Sequence, residues 1–175
     1  MPELFDSAET LSNDSRVRLS GLDPAALETM PWLEAALSPE WMLEDLVAAV
    51  RDHDGVLISD ADGTPIGMAA VFCGWPAPRD ATIAFLTVDP TRRFRGLGGE
   101  AGIELERHLR RQGYERVYAP VPEARGLAVY FWLRLGFRPV GQAESPKTPL
   151  GLTGDSRPGI WMLRDGESPE APSPD

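Results

Sequence analysis

The sequence predicts an α/β (α+β) domain in which a mixed sheet of six to seven strands carries helices on both faces. Three stretches predict it. ATIAFLTV (81–88) is an apolar run rich in β-branched and aromatic residues, as a buried strand requires; after a loop it gives way to a helical pattern over 99–112, where Ala101, Leu105 and Leu109 share one face. GVLISD (55–60), ADG (61–63) and TPIGMAAVFCGW (64–75) read as a hairpin whose Asp62-Gly63 pair supplies the positive φ of the turn. RVYAPV (116–121) follows the helix through a short connection, which suits a right-handed parallel crossover.

The remaining elements fall around these. Arg16–Leu19 alternates Val17 and Leu19 with arginines, as a first strand would. Asp23-Pro24 starts a helix with Asp as N-cap and Pro in the first turn, Pro31 interrupts it, and PWLEAAL (31–37) continues at a changed angle. Ser38-Pro39-Glu40 opens another helix, striped by Met42, Leu43, Leu46, Val47 and Val50 as far as Arg51. Gln112-Gly113 closes the helix after the central strand with a C-cap glycine. A last helix over 124–135 ends at Gly136, and strands over 137–142 and 159–164 flank a polar loop. The acidic segments 1–15 and 165–175 contain no base, so they read as disordered tails around a single domain at 16–164.

The loop RRFRGLGG (92–99) is basic, rich in glycine and placed at a helix N-terminus, where unpaired backbone N–H groups and the positive end of the helix dipole suit a phosphate. Two fingerprints compete for it. GLGGEA (96–101) fits G-x-G-x-x-A, a dinucleotide pattern that should follow its strand directly, yet Asp89–Arg95 intervene and no ribose-binding acid ends the next strand. A Walker loop is excluded because no Lys-Ser/Thr follows the glycines. What remains is R-x-x-G-x-G, met by Arg93, Gly96 and Gly98 after a strand ending Val88-Asp89-Pro90. This resembles the acetyl-CoA loop of the GNAT acyltransferase superfamily. A second match lies downstream: ARGLAVYFWLRLGFRPV (124–140) resembles the family's final helix and following strand, N-x-x-A-x-x-x-Y-x-x-x-G-F, with Arg125 where Asn is usual and Trp132 where Tyr is usual.

The resemblance, covering 65–164, implies a GNAT fold with a central, splayed parallel strand pair and acetyl-CoA as acyl donor. Backbone N–H groups of Phe94, Arg95, Gly96, Leu97, Gly98 and Gly99 would hold the pyrophosphate while Arg92, Arg93 and Arg95 neutralise remaining charge. Phe94 itself reads as a packing residue. The pantetheine arm would enter between strands 81–88 and 116–121, its amides pairing with backbone groups near Leu86 and Val88 as an added strand does. Arg125 and Trp132 would border the cofactor. The activity implied is transfer of an acetyl group to a primary amine in a ternary complex; the rival reading is a non-catalytic acyl-CoA-binding module of the same fold.

No general base is named by the residues. Asp80, Glu123 and Glu144 are candidates, as is a water chain. The departing thiolate would meet Trp132, whose indole donates no proton at ordinary pH, so it leaves unaided or takes a proton from Tyr118; Tyr130 lies on another face of the helix from Trp132. His53 and His108 read as surface residues, and Cys73 as a strand residue rather than a nucleophile. Trp32, Trp41 and Trp75, outside the cofactor half, serve either the core or the wall of an acceptor pocket. No metal site is expected.

Much of the net charge of −10 sits in the two terminal segments, and the rest is divided: residues 16–88 are acidic on balance and 89–164 basic. An acidic acceptor side would attract a small cationic amine or a peptide N-terminus. The acidic chain without an aromatic-basic stripe argues against nucleic acid. One cysteine, no apolar run of membrane length and no apolar leader predict a cytoplasmic protein without a membrane partner, and leave room for a homodimer.

Overall fold

The computed structural model describes residues 4–5, 15–37, 43–93, 95–121, 126–146 and 159–166. In chain order the elements are β1 (Val17–Gly21), a 3₁₀ turn (Pro24–Thr29), α1 (Leu33–Ala36), α2 (Leu43–Asp52), β2 (Asp54–Asp60), β3 (Pro65–Cys73), β4 (Asp80–Val88), a 3₁₀ turn (Pro90–Arg92), α3 (Leu97–Arg111), β5 (Arg116–Val121), α4 (Gly126–Arg134), β6 (Arg138–Val140) and β7 (Ile160–Asp165). The strands form one seven-stranded sheet in the order β1-β2-β3-β4-β5-β7-β6, antiparallel except for the central β4–β5 pair. The predicted sheet and its parallel pair are therefore present.

Each face of the sheet buries its own cluster. Ala101, Leu105 and Leu109 of α3 and Trp132 of α4 pack with Val71, Ile83, Val117 and Ala119, while Leu46, Ala49 and Val50 of α2 pack with Met68, Ala70 and Phe72 beside Leu27 and Leu33. Alternation along β3 sends successive side chains to the two clusters, and along β5 Val117 and Ala119 face the first while Tyr118 joins Trp161 and Leu163 in a smaller third one. Gly63, Gly113 and Gly136 take positive φ where turns and helix ends were expected (84°, 92° and 84°). Asp23 caps the first helical turn by accepting from Ala25 N–H (2.9 Å), but that segment is 3₁₀ and stops at Thr29, before Pro31.

Two expectations change. His108 is 1% exposed, not a surface residue: its Nε2–H donates to the Leu4 carbonyl (2.7 Å) and its ring stacks on Phe5 at 4.2 Å. Leu4 and Phe5, in the segment read as a tail, are themselves in the core cluster. Their sequence signal is two apolar residues among acids, too short to show any period. Ser38–Met42, where the cap of α2 was read, lies outside the described residues. No described helix is long and apolar enough to cross a membrane.

Candidate functional site: the gap between β4 and β5

β4 and β5 pair only at Asp80↔Arg116, Ala81↔Val117 and Thr82↔Tyr118, although β4 continues to Val88 and β5 to Val121. Two features of the chain stop the ladder. Gly166 N–H donates to the Glu115 carbonyl (2.8 Å), and the alternation of the β5–β7 ladder then turns the backbone groups of Arg116, Tyr118 and Pro120 toward β4. Pro120, next in that series, has no N–H to give. On β4 the register against β3 slips between Ala70 and Val71, which pair with Phe85 and Ile83, so Ala84 is an inserted bulge residue.

The bulge also decides which edge of β4 is free. Beyond it, Asp89 N–H donates to the Ile66 carbonyl (2.8 Å), which makes the neighbouring pairs Gly67↔Val88 and Ala69↔Leu86 the non-hydrogen-bonded kind. The N–H and C=O groups of Leu86 and Val88 thus point away from β3 and into the gap. Their side chains lie on the α3 face, where Leu86 approaches Gly102 and Val88 approaches Gly98.

At the open end of the gap stands the N-terminus of α3. Gly96 is its N-cap, with φ 79° in the left-handed region that glycine adopts without cost, and α3 begins at Leu97, two residues before the expected start. The amides of Leu97, Gly98 and Gly99 therefore belong to the first turn, which has no intrahelical acceptors. Arg93 and Arg95 are exposed, with no ion-pair partner among the described residues, whereas Arg92 pairs with Asp60 at 2.9 Å. Phe94 lies outside the described residues.

Glu100, also in the first turn, would repel an anion if left alone. Instead Arg16, just before β1, holds it: the Arg16 guanidinium lies 2.8 Å from Oε2, the Arg16 N–H donates to Oε1, and Nη1 also donates to the Arg95 carbonyl (3.2 Å). Burial alone would raise the Glu100 carboxyl, but the hydrogen bonds from Arg16 and Ser15 outweigh it and hold it below its ordinary value. The pair joins residues 84 apart in sequence and had no sequence signal.

The other candidates separate. Asp80 is 1% exposed at the closed end of the splay, where Arg116 clamps both its oxygens (2.8 and 2.9 Å), so it is not brought to the gap. Tyr118 sits at the root of the gap on the α2 face, 3% exposed and edge-on to Trp161 at 6.3 Å; burial pushes its phenol up. Tyr130 is 61% exposed on the outer side of α4. Trp132 is packed in the core between Phe131 and Phe137, at 5.1 and 4.8 Å. Glu144 is exposed and tied to Arg138 at 2.9 Å. Glu123 and Arg125 lie outside the described residues. Burial pushes the Cys73 thiol up to about 12, which leaves it protonated and a poor nucleophile.

Comparison with known proteins agrees with this geometry. Residues 23–137 match the acetyltransferase (GNAT) family. An uncharacterized N-acetyltransferase of Methanocaldococcus jannaschii is 31% identical over 91 residues, a match that takes in 50% of this chain and only 40% of that protein's length. Among solved structures, an acetyltransferase from Thermus thermophilus superposes with a TM-score of 0.60 at 25% identity, over 85% of this chain and 96% of that one. An acetyltransferase of Bacillus subtilis in complex with CoA has the same fold, with a TM-score of 0.62 at 11% identity, over 87% and 99% of the two chains. With its seven-stranded sheet, its interrupted β4–β5 ladder and a match over most of its length, the chain belongs to the GNAT acetyltransferase family.

Proposed function

We propose that the protein is an N-acetyltransferase that moves an acetyl group from acetyl-CoA to a primary amine by direct transfer in a ternary complex. The observation that carries this is the free inner edge of β4: the backbone groups of Leu86 and Val88 face a gap that Pro120 keeps open, in line with the amides of Leu97–Gly99. An extended pantetheine arm with two amides is chemically an added strand and fits such an edge. The pyrophosphate then falls at the helix N-terminus, with Arg93 and Arg95 beside it.

In the reaction the neutral amine attacks the thioester carbonyl carbon, a C–N bond forms, the C–S bond breaks and CoA leaves as thiolate. A backbone N–H of the β4 edge polarises the carbonyl, and positioning supplies most of the rate. Asp80 is committed to Arg116, so we assign the amine's proton to water at the mouth of the gap. Trp132 offers no acidic proton, and the thiolate leaves without one or takes it from the buried phenol of Tyr118. A non-catalytic acyl-CoA-binding role is the second reading, favoured by the core position of Trp132 where a phenol would otherwise stand.

For the acceptor we propose a small cationic amine or a peptide N-terminus. Glu28, Glu34 and Glu44 are exposed on the helices opposite α3, on the acidic side of the charge division. A screen of amines, polyamines, peptides and amino acids by CoA thiol release should rank cationic acceptors above anionic ones. Their kcat/KM should fall as salt is raised. Preference for an acidic acceptor, or no salt dependence, would remove the electrostatic basis of this choice. The single free cysteine supports cytoplasmic action.

A further inference from the structure

A second cavity, of about 360 Å³, lies on the sheet face that carries α1 and α2. Its walls include Met30, Trp32 and Leu57, and its charged groups are Asp89 and Arg92. The volume is that of a small-molecule site. It is distinct from the gap: its sheet residues come from β2 and from the start of β3, and it touches β4 only through Asp89, one residue past the strand end.

The charges in this cavity are not balanced. Arg92 Nη1 donates to Asp60 Oδ2 at 2.9 Å, so its positive charge is matched on the spot. Asp60 is in turn fixed by backbone N–H groups of Asp62 and Thr64 at 3.1 and 2.9 Å. Asp89 has no such match. Its Oδ1 accepts from Thr91 N–H (2.9 Å) and Thr91 Oγ1–H (2.8 Å), which shapes the turn after β4, while Oδ2 has no hydrogen-bond or ion-pair partner among the described residues. What the cavity presents is one uncompensated carboxylate, a half-buried indole and apolar walls. A carboxylate beside an aromatic face attracts an organic cation by charge and by the ring quadrupole together, and apolar walls favour a weakly hydrated one.

We propose that this cavity is a binding site for a small organic ammonium ion, with Asp89 as counter-charge and Trp32 as aromatic wall. Because the cavity is lined apart from the gap, a cation whose quaternary nitrogen cannot be acetylated, titrated without acetyl-CoA, reads it alone. Choline, a quaternary ammonium, and its neutral isostere 3,3-dimethylbutan-1-ol are the probes, titrated into the full chain by calorimetry. Choline binds and the neutral alcohol does not. Asp89→Asn keeps an oxygen for Thr91, and so the turn, but drops the charge; it weakens choline about tenfold or more. Trp32→Leu weakens it by a similar factor, with its thermal melt as the check on folding. The proposal is overturned if choline does not bind the wild-type chain, if Asp89→Asn binds it as tightly, or if the neutral isostere binds equally well.

Discussion

Replacing Gly98 with valine should abolish acetyl-CoA binding in a protein that still folds. Gly98 lies in the first turn of α3 without a positive φ, and a Cβ built there meets Val88 Cγ2 at 3.4 Å and Phe131 Cε2 at 3.8 Å, both side-chain atoms and neither in hard overlap. Helix propensity does not oppose the change, since glycine is the poorer helix former of the two by a few tenths of a kcal/mol, about 0.5 at most. The loss falls on the ligand. A branched side chain set beside Val88, whose backbone groups face the gap, should crowd the close backbone approach that the proposed phosphate site at the first turn requires. Calorimetry should show a loss of at least about a hundredfold, worth about 2.7 kcal/mol. Gly96→Val is a different experiment, because φ 79° strains any branched residue and would damage the cap itself. Unchanged affinity in folded Gly98→Val would remove the proposed phosphate loop.

The second large effect is on stability. Trp132 is 6% exposed and in contact with Phe131 and Phe137, in the cluster that joins α4 to α3 and the sheet. Truncating it to alanine leaves a cavity the surrounding helices cannot close, and should cost about 3–5 kcal/mol in urea unfolding. Trp132→Phe should recover most of that. A Trp132 that merely bordered the cofactor would behave otherwise: alanine would weaken acetyl-CoA binding and leave the unfolding midpoint where it was.

The line from β4 through the loop to α3 was legible because each piece is local. A period-free apolar run, a glycine loop and a 3.6-residue stripe need no knowledge of the rest of the chain. The same holds for Gly63, Gly113 and Gly136, whose positive φ follows from turn chemistry. What the sequence hid is non-local. The bulge at Ala84 exists only against the register of β3, and it alone decides that Leu86 and Val88, rather than Phe85 and Thr87, turn their amides to the gap. The Arg16–Glu100 clamp and the seating of Phe5 on His108 join the start of the chain to α3 across a stretch that no periodic pattern spans. Asp80 read as a free acid at a strand start because its partner, Arg116, becomes its neighbour only when the parallel pair forms.

The most direct test of the central claim is a structure of the protein with acetyl-CoA bound. The account predicts the pantetheine arm extended between β4 and β5, its amides hydrogen-bonded to the backbone of Leu86 and Val88, and the pyrophosphate on the N–H groups of Leu97–Gly99. Acetyl-CoA bound elsewhere, or a gap closed by a continuous β4–β5 ladder with no room for the arm, would contradict it.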